Sequence, residues 1–282
     1  NSFVEIGGLV TARNTDFNIQ AKDTPSDGVI TGYGVINGGL VYVYSQDASV
    51  LGGSVGEMHA KKIASLYDMA MKTGSPVIGL IDSTGLRLQE SVDGLNAFGQ
   101  IYMKQSLASG VIPTITAIFG NCGGGLSIVA GLSDFTFMEV ENAQLFVNSP
   151  NAITENRKEI CDNASAKFQS EEAGNVDFVG TEAEVIEGIR NLVSVLPSNN
   201  EDEASDLECY DDLNRAAEGI ENCGEDTLLA LENIISASFF LSISPVSSTM
   251  SSPINAIIIS YVLEPFVYNP LATSSVIIIS QL

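Results

Sequence analysis

Histidine, basic residues and paired cysteines are all scarce in this chain of 282 residues. There is one histidine, His59, near the expected start of a helix beside Lys61 and Lys62. A Ser–His–Asp triad would have to use it. A lone histidine in that setting reads instead as a surface or interface residue. The 12 Lys and Arg face 35 Asp and Glu, a formal net charge of −23. Such a balance argues against nucleic acid and an anionic membrane surface as partners. An anionic ligand would need a local basic patch, for which Lys61, Lys62, Arg87 and Lys104 are the candidates. The four cysteines, Cys122, Cys161, Cys209 and Cys223, match no zinc-ligand spacing and no disulfide framework. No metal is expected, and a reducing cytosol, hence a cytoplasmic protein, is the simplest reading. No signal peptide is visible, and the chain begins at Asn1 rather than Met, which suggests a missing native N-terminus.

What is present reads as α/β over residues 1–196. Two alternating runs, 29–35 and 40–46, flank Asn37-Gly38-Gly39, a hairpin signal. Ser54-Val55-Gly56-Glu57 fits a capping box and predicts a helix over about 57–72, stopped by Gly74. A buried strand is expected over 76–81, a helix over about 92–107 ending near Gly110, and a second buried strand over 113–119. Strand, glycine turn and helix thus recur three times. The turns centre near Gly52-Gly53, Gly85 and Gly124, at intervals of about 35 residues, as in a repeating superhelix. A doubly wound sheet predicts a similar pattern.

The third turn, Gly120-Asn121-Cys122-Gly123-Gly124-Gly125-Leu126, is the most informative. It joins a strand to a helix-like run, so its backbone N–H groups can meet developing negative charge. Adjacent glycines let a ligand approach the main chain closely. The stretch lacks the Lys-Ser/Thr ending of a nucleotide P-loop. Cys122 is either a nucleophile with a lowered pKa or, as favoured here, a small residue beneath the turn. The segment 47–57 reads equally as a ligand loop or as a capped helix with its entry loop. Charged and hydroxyl residues crowd the segment 82–90 at a strand's carboxyl end, where α/β sheets bind ligands. The competing reading makes Asp82 and Ser83 turn formers and pairs Arg87 with Glu90.

A boundary is expected at Pro197-Ser198-Asn199-Asn200. Residues 197–232 then read as an acidic linker or helical segment, with eleven acidic residues and one basic residue between Glu201 and Asp226. Residues 233–282 carry one charge, Glu264, and four prolines that break every apolar run. They fit short strands, a weakly membrane-associated segment or sequence foreign to the native protein. The abrupt loss of charge favours the last.

The segments 47–62, 82–93 and 108–134, with Gly28-Val29-Ile30-Thr31-Gly32-Tyr33-Gly34, resemble the carboxyltransferase subunits of biotin-dependent acyl-CoA carboxylases and decarboxylases. The resemblance runs from about Ser2 to Asp226 and implies the N-terminal domain of such a subunit, with a crotonase-like fold of spiralling ββα units. It implies transfer of a carboxyl group between carboxybiotin and the α-carbon of an acyl-CoA, without a side-chain base. Gly125 and Leu126 would supply the oxyanion hole for the thioester enolate, with Gly124 shaping the turn. Gly53, Ser54, Ser83, Thr84 and Gly85 would line the coenzyme A and acyl path. Charge alone, not the resemblance, offers Lys61 or Lys62 for the coenzyme A phosphates. The implied partners are a biotin carboxyl carrier protein, the C-terminal carboxyltransferase domain of another subunit and further copies of this chain. A membrane enters only through a decarboxylase complex. Leu86 and Leu126 stand where the family carries small residues, which points to a reshaped substrate pocket. The alternatives are another crotonase-type enzyme, a hydratase or hydrolase using Glu90 or Asp82, and a truncated, non-catalytic subunit.

Overall fold

The computed structural model describes residues 2–13, 23–149, 162–202, 222 and 224. The acidic stretch beyond 202 and the whole of 233–282 lie outside the described residues, apart from those two isolated positions.

A short strand, β1 (Val4–Ile6), pairs antiparallel with β2 (Val29–Ile36), which pairs antiparallel with β3 (Gly39–Gln46). The β2–β3 hairpin forms where expected. Asn37 and Gly38 take φ of 49° and 89°. Two successive left-handed residues define the turn whose twist matches the flanking strands.

The chain then alternates. Helix α1 (Glu57–Thr73) leads to β4 (Val77–Ser83), α2 (Ser91–Ala108) to β5 (Thr114–Gly123), and α3 (Gly125–Gly131) to β6 (Phe135–Glu139). Strands β3 to β6 are parallel neighbours. The remainder is shorter: β7 (Gln144–Phe146), α4 (Ala166–Glu171), β8 (Phe178–Gly180) and α5 (Glu182–Val195). The order across the sheet is β1-β2-β3-β4-β5-β6-β8, with β7 paired to β5 alone. That order never reverses. A doubly wound sheet would reverse it and place its ligand crevice at the reversal.

Alternation along the strands builds a core on each face. Tyr42, Tyr44, Val77 and Ile81 face α1, α2 and α3, against Leu66, Ile101 and Leu126. Val41, Val43, Ile78, Leu80, Ile115 and Ala117 face the other way, against Val185, Ile186, Ile189 and Leu192 of α5. Gly79 is a packing necessity, since a Cβ there would lie 2.3 Å from the Tyr44 ring.

Strand β5 serves two sets of partners. Its first half, Ile115 to Ile118, pairs with β6, and its end, Asn121 to Gly123, pairs with β7. Between them the register against β4 slips: Ile81 faces Ile118, but Ser83 faces Cys122. Residues 119–121 therefore oppose Asp82 alone. Such a bulge bends the strand. The glycine-rich stretch is thus strand as far as Gly123, and the corner expected within Gly120 to Leu126 is confined to Gly124.

Helix boundaries follow their signals closely except at one cap. Helix α1 ends on Gly74 in the left-handed conformation (φ 61°, ψ 48°). The expected capping box at Ser54 and Glu57 does not form. Gly56 is the N-cap, Glu57 the first helical residue, and its N–H donates to Glu90 Oε2 at 2.5 Å. The side chain of Ser54 has another use, described below. A true capping box closes α5, between Thr181 and Glu184. After α5 the chain stays tied down: Asn199 donates to Gly74 O at 3.0 Å and Asn200 N–H to Val111 O at 2.9 Å. No helix among the described residues is long and apolar enough to cross a membrane.

Candidate functional site

The parallel strands deliver the three glycine turns to one edge of the molecule, at their carboxyl ends. There the first two are bonded side by side, and the third lies against the second. Thr84 N–H donates to Gly52 O at 2.9 Å, and Val55 N–H to Gly85 O at 2.8 Å. Arg87 N–H returns to Val55 O at 2.9 Å. Two glycines are required by closeness as well as conformation. Gly53 has φ 64°, and a Cβ on it would sit 2.3 Å from Asp82 O; Gly85 has φ 95°, and its Cβ would sit 3.0 Å from Gly123 O. The third turn follows directly, with Gly124 at φ 60°, ψ −124° and its N–H on Phe146 O at 3.0 Å. Gly125 and Leu126 open α3. Their N–H groups lie in the first turn, where a helix supplies no acceptor.

The Leu126 side chain is 1% exposed and joins the core among Phe98, Ile101 and Val129. Leu86 is partly buried against the same cluster. Leu126 thus packs inward instead of filling space in front of the turn. Cys122 is buried beneath it, and burial pushes its thiol up to about 12. It is no activated nucleophile.

A buried polar cluster underpins the first two turns. Arg87, 1% exposed, donates from Nη1 to Asp27 Oδ1 (2.6 Å) and Glu90 Oε1 (2.9 Å). It also donates from Nε to Ser54 Oγ (3.2 Å) and from Nη2 to Ser54 O (2.7 Å). The planar guanidinium thus reaches four acceptors on three segments. Glu90 caps α1 as described, and Asp27 Oδ2 accepts His59 N–H at 2.8 Å. Burial raises the Asp27 carboxyl, against the pull of Arg87. Ser26 and Asp27 both adopt positive φ (52° and 51°). Such backbone persists only where surroundings impose it, and here Arg87 and His59 do so.

Several sequence expectations are corrected at this cluster. His59 is a fully buried residue, not a surface one. Nδ1 lies 2.9 Å from Asp27 O, which can only accept, so Nδ1 carries the proton; Nε2 accepts from the Gln46 amide at 3.1 Å. Burial, then Arg87 and Lys62, hold its pKa down to about 3, so the ring stays neutral. The four cations expected to form a patch are engaged separately. Lys62 is buried and donates to Ser26 O (2.9 Å) and Val29 O, with its pKa lowered by burial to about 8. Its ammonium is taken up by those two carbonyls. Lys61 pairs with Glu57 and Lys104 with Asp68, each at 2.5 Å. Glu90, a candidate base, is bound to Arg87 and the start of α1 instead. Asp82 crosses the β5 bulge to accept Asn121 N–H at 3.3 Å, its carboxyl raised by burial.

Among the remaining candidates, Ser83 Oγ accepts Gly85 N–H at 3.1 Å, the turn-forming role. Thr84 is exposed on the edge. One pattern escaped the sequence reading: Gly52-Gly53-Ser54-Val55-Gly56 has the spacing of a nucleophile elbow. Ser54 is buried on Arg87, and both ring nitrogens of His59 are occupied elsewhere, so no triad forms. The signal that could have exposed this cluster is Asp27, an acid beside a glycine in a turn. Its partner Arg87 lies sixty residues on. Among the described residues, no three His, Cys, Asp or Glu converge to hold a metal.

An α/β core with glycine turns on one edge of its sheet has known counterparts. Residues 1–229 match the family model described as carboxyl transferase domain, and the chain belongs to that family. It is 43% identical over 217 residues to the methylmalonyl-CoA decarboxylase subunit alpha of Propionigenium modestum, covering 76% of this chain and 42% of that one. It is 40% identical over 218 residues to the propionyl-CoA carboxylase beta chain of Roseobacter denitrificans, covering 76% and 43%. Among solved structures it superposes on transcarboxylase 12S with TM-score 0.72 at 34% identity, covering 78% of this chain and 43% of that one. The fold is the crotonase-like one of these carboxyltransferases. The chain spans less than half the length of these relatives.

Proposed function

We propose that this chain is the acyl-CoA-binding half of a biotin-dependent carboxyltransferase. It serves transfer of a carboxyl group between a biotin carrier and the α-carbon of an acyl-CoA. The observation that carries this reading is the row of three glycine turns on one edge, the first two hydrogen-bonded together, ending at the first-turn amides of Gly125 and Leu126. A thioester oxygen seated against them receives two N–H donors. Negative charge develops on that oxygen as the α-proton leaves, and a donor placed for it lowers the barrier by about 3–4 kcal/mol. Gly124 sets the angle of the turn.

Carboxybiotin, when bound, would supply both the carboxyl group and the base. The side chains around the turns are consistent with an outside base. Cys122 is held protonated, His59 is neutral and enclosed, and Glu90 is committed to Arg87. This chain's residues therefore bind, orient and stabilise. Gly53, Thr84 and Gly85 border the acyl and coenzyme A path, and Ser54 and Ser83 act by fixing those loops. Lys61, more exposed than Lys62, is the lysine left for a coenzyme A phosphate.

The names of the relatives support an acyl-CoA substrate. Their greater length supports a second domain; in this reading it faces this edge from another subunit and receives the biotin carboxyl carrier protein. A homo-oligomer brings the two together. The free, buried Cys122 suits a cytoplasmic protein. Labelled carboxyl exchange tests the reading. This chain, a biotinylated carrier and the separate C-terminal domain should together exchange label with an acyl-CoA, and each omission should abolish it. No exchange from the folded, complete mixture would contradict the proposal.

A further inference from the structure

The two amides assigned to the oxyanion hole belong to two peptide groups, and the far side of each is held by a hydroxyl. The peptide ending in Gly125 N–H begins with Gly124 C=O. That oxygen accepts Ser127 Oγ at 2.7 Å and Ser127 N–H at 3.2 Å. The peptide ending in Leu126 N–H begins with Gly125 C=O, which accepts Tyr102 Oη at 2.7 Å. A trans peptide is planar, with C=O and N–H pointing opposite ways. Fixing the oxygen therefore fixes the direction of the donor.

This matters most between two glycines. The Gly124–Gly125 peptide has no Cβ on either side to resist rotation, and a glycine pair is free to flip it. A flipped peptide would present C=O where the oxyanion needs N–H. Ser127 opposes that from within α3, and Tyr102, from α2, holds the next peptide, Gly125–Leu126. Tyr102 is itself braced. Its ring lies 5.8 Å from Phe98, tilted by 40°, and Phe98 is buried. Both residues press directly on the turn: a Cβ on Gly125 would meet Tyr102 Oη at 2.7 Å and Phe98 at 3.0 Å. A hydrogen bond to C=O also polarises the N–H of the same peptide, strengthening it by roughly 10–30%.

The geometry points to Tyr102 and Ser127 as positioning residues that hold the Gly125 and Leu126 amides aimed at the enolate oxygen. This rests on the assignment of the hole to those two amides. Neither side chain touches the substrate; each acts through a peptide group. Their hydroxyls matter more to an anionic ligand than to a neutral one, because a misaimed donor costs most where charge is concentrated.

The test is binding calorimetry on the complete carboxyltransferase with this chain in place. Two probes are used: a coenzyme A thioether ending in a nitronate, an anionic mimic of the thioester enolate, and the same thioether ending in a neutral ketone. Tyr102→Phe and Ser127→Ala should each weaken nitronate binding about fivefold, the worth of one ordinary hydrogen bond, with ketone binding unchanged. Ser127→Thr, which keeps the hydroxyl, should restore it. Equal weakening of both probes would mean a packing role only and would overturn the inference. If the unaltered protein prefers the nitronate and both variants keep that preference, the inference alone falls. If the unaltered protein shows no preference for the nitronate, the hole assignment itself is wrong and the inference falls with it.

Discussion

Replacing Arg87 by methionine removes the cation at the centre of the buried cluster and keeps much of its volume. Four hydrogen bonds are lost, two to Ser54 and one each to Asp27 and Glu90. Both carboxyl groups are almost wholly buried, and each still caps a backbone N–H with its other oxygen. They cannot simply swing to solvent. Breaking a buried ion pair from one side costs about 3–5 kcal/mol, because the remaining charge is left uncompensated. Against a typical domain stability of about 5–15 kcal/mol, that is a large fraction. Urea unfolding should show the midpoint falling with little change in slope. Adding Asp27→Asn and Glu90→Gln removes the stranded charges and should recover much of the loss. A single variant within about 1 kcal/mol of the parent would refute the reasoning. So would a triple variant no more stable than Arg87→Met.

Three further perturbations probe other links. His59 has a folded-state pKa of about 3, below its ordinary 6.5, so its contribution is present above pH 6.5 and is lost as pH falls toward 3. His59→Gln should flatten the acid limb of a stability–pH curve by close to one proton, and an unchanged slope would count against a buried neutral ring. Gly53→Ala should destabilise by well over the roughly 1–2 kcal/mol expected for left-handed backbone alone, since its Cβ would meet Asp82 O at 2.3 Å. Gly38→Ala, with φ 89° and open space, should show only the backbone cost, so equal losses at the two glycines would refute the stacked-turn packing. Thr181→Ala should cost about 1 kcal/mol by opening the capping box of α5, measured as a shift in Tm, and no shift would argue against that cap.

What could be read from the sequence was local. The Asn37-Gly38 turn, the Gly74 stop of α1 and the three glycine turns each depend on a few adjacent residues, and each forms. What could not be read depends on distant partners. Ser54 and Glu57 have the letters of a capping box, but Arg87 takes Ser54 and Glu90 caps the helix, so a tertiary contact displaces a local one. His59 and Lys62 look solvent-facing because their acceptors, Asp27 O, Ser26 O and Val29 O, are some thirty residues earlier. The strands β7 and β8 are three residues each, too short for any periodicity. The resemblance to carboxyltransferases supplied what spacing could not, the choice of the superhelix over the doubly wound sheet.

The most direct test is a crystal structure of the complete carboxyltransferase with an acyl-CoA bound. The account predicts the thioester oxygen at about 2.7–3.1 Å from both the Gly125 and Leu126 nitrogens, the range for a working oxyanion hole. It would be contradicted by a thioester oxygen held elsewhere, with the Gly125 N–H turned onto a protein carbonyl.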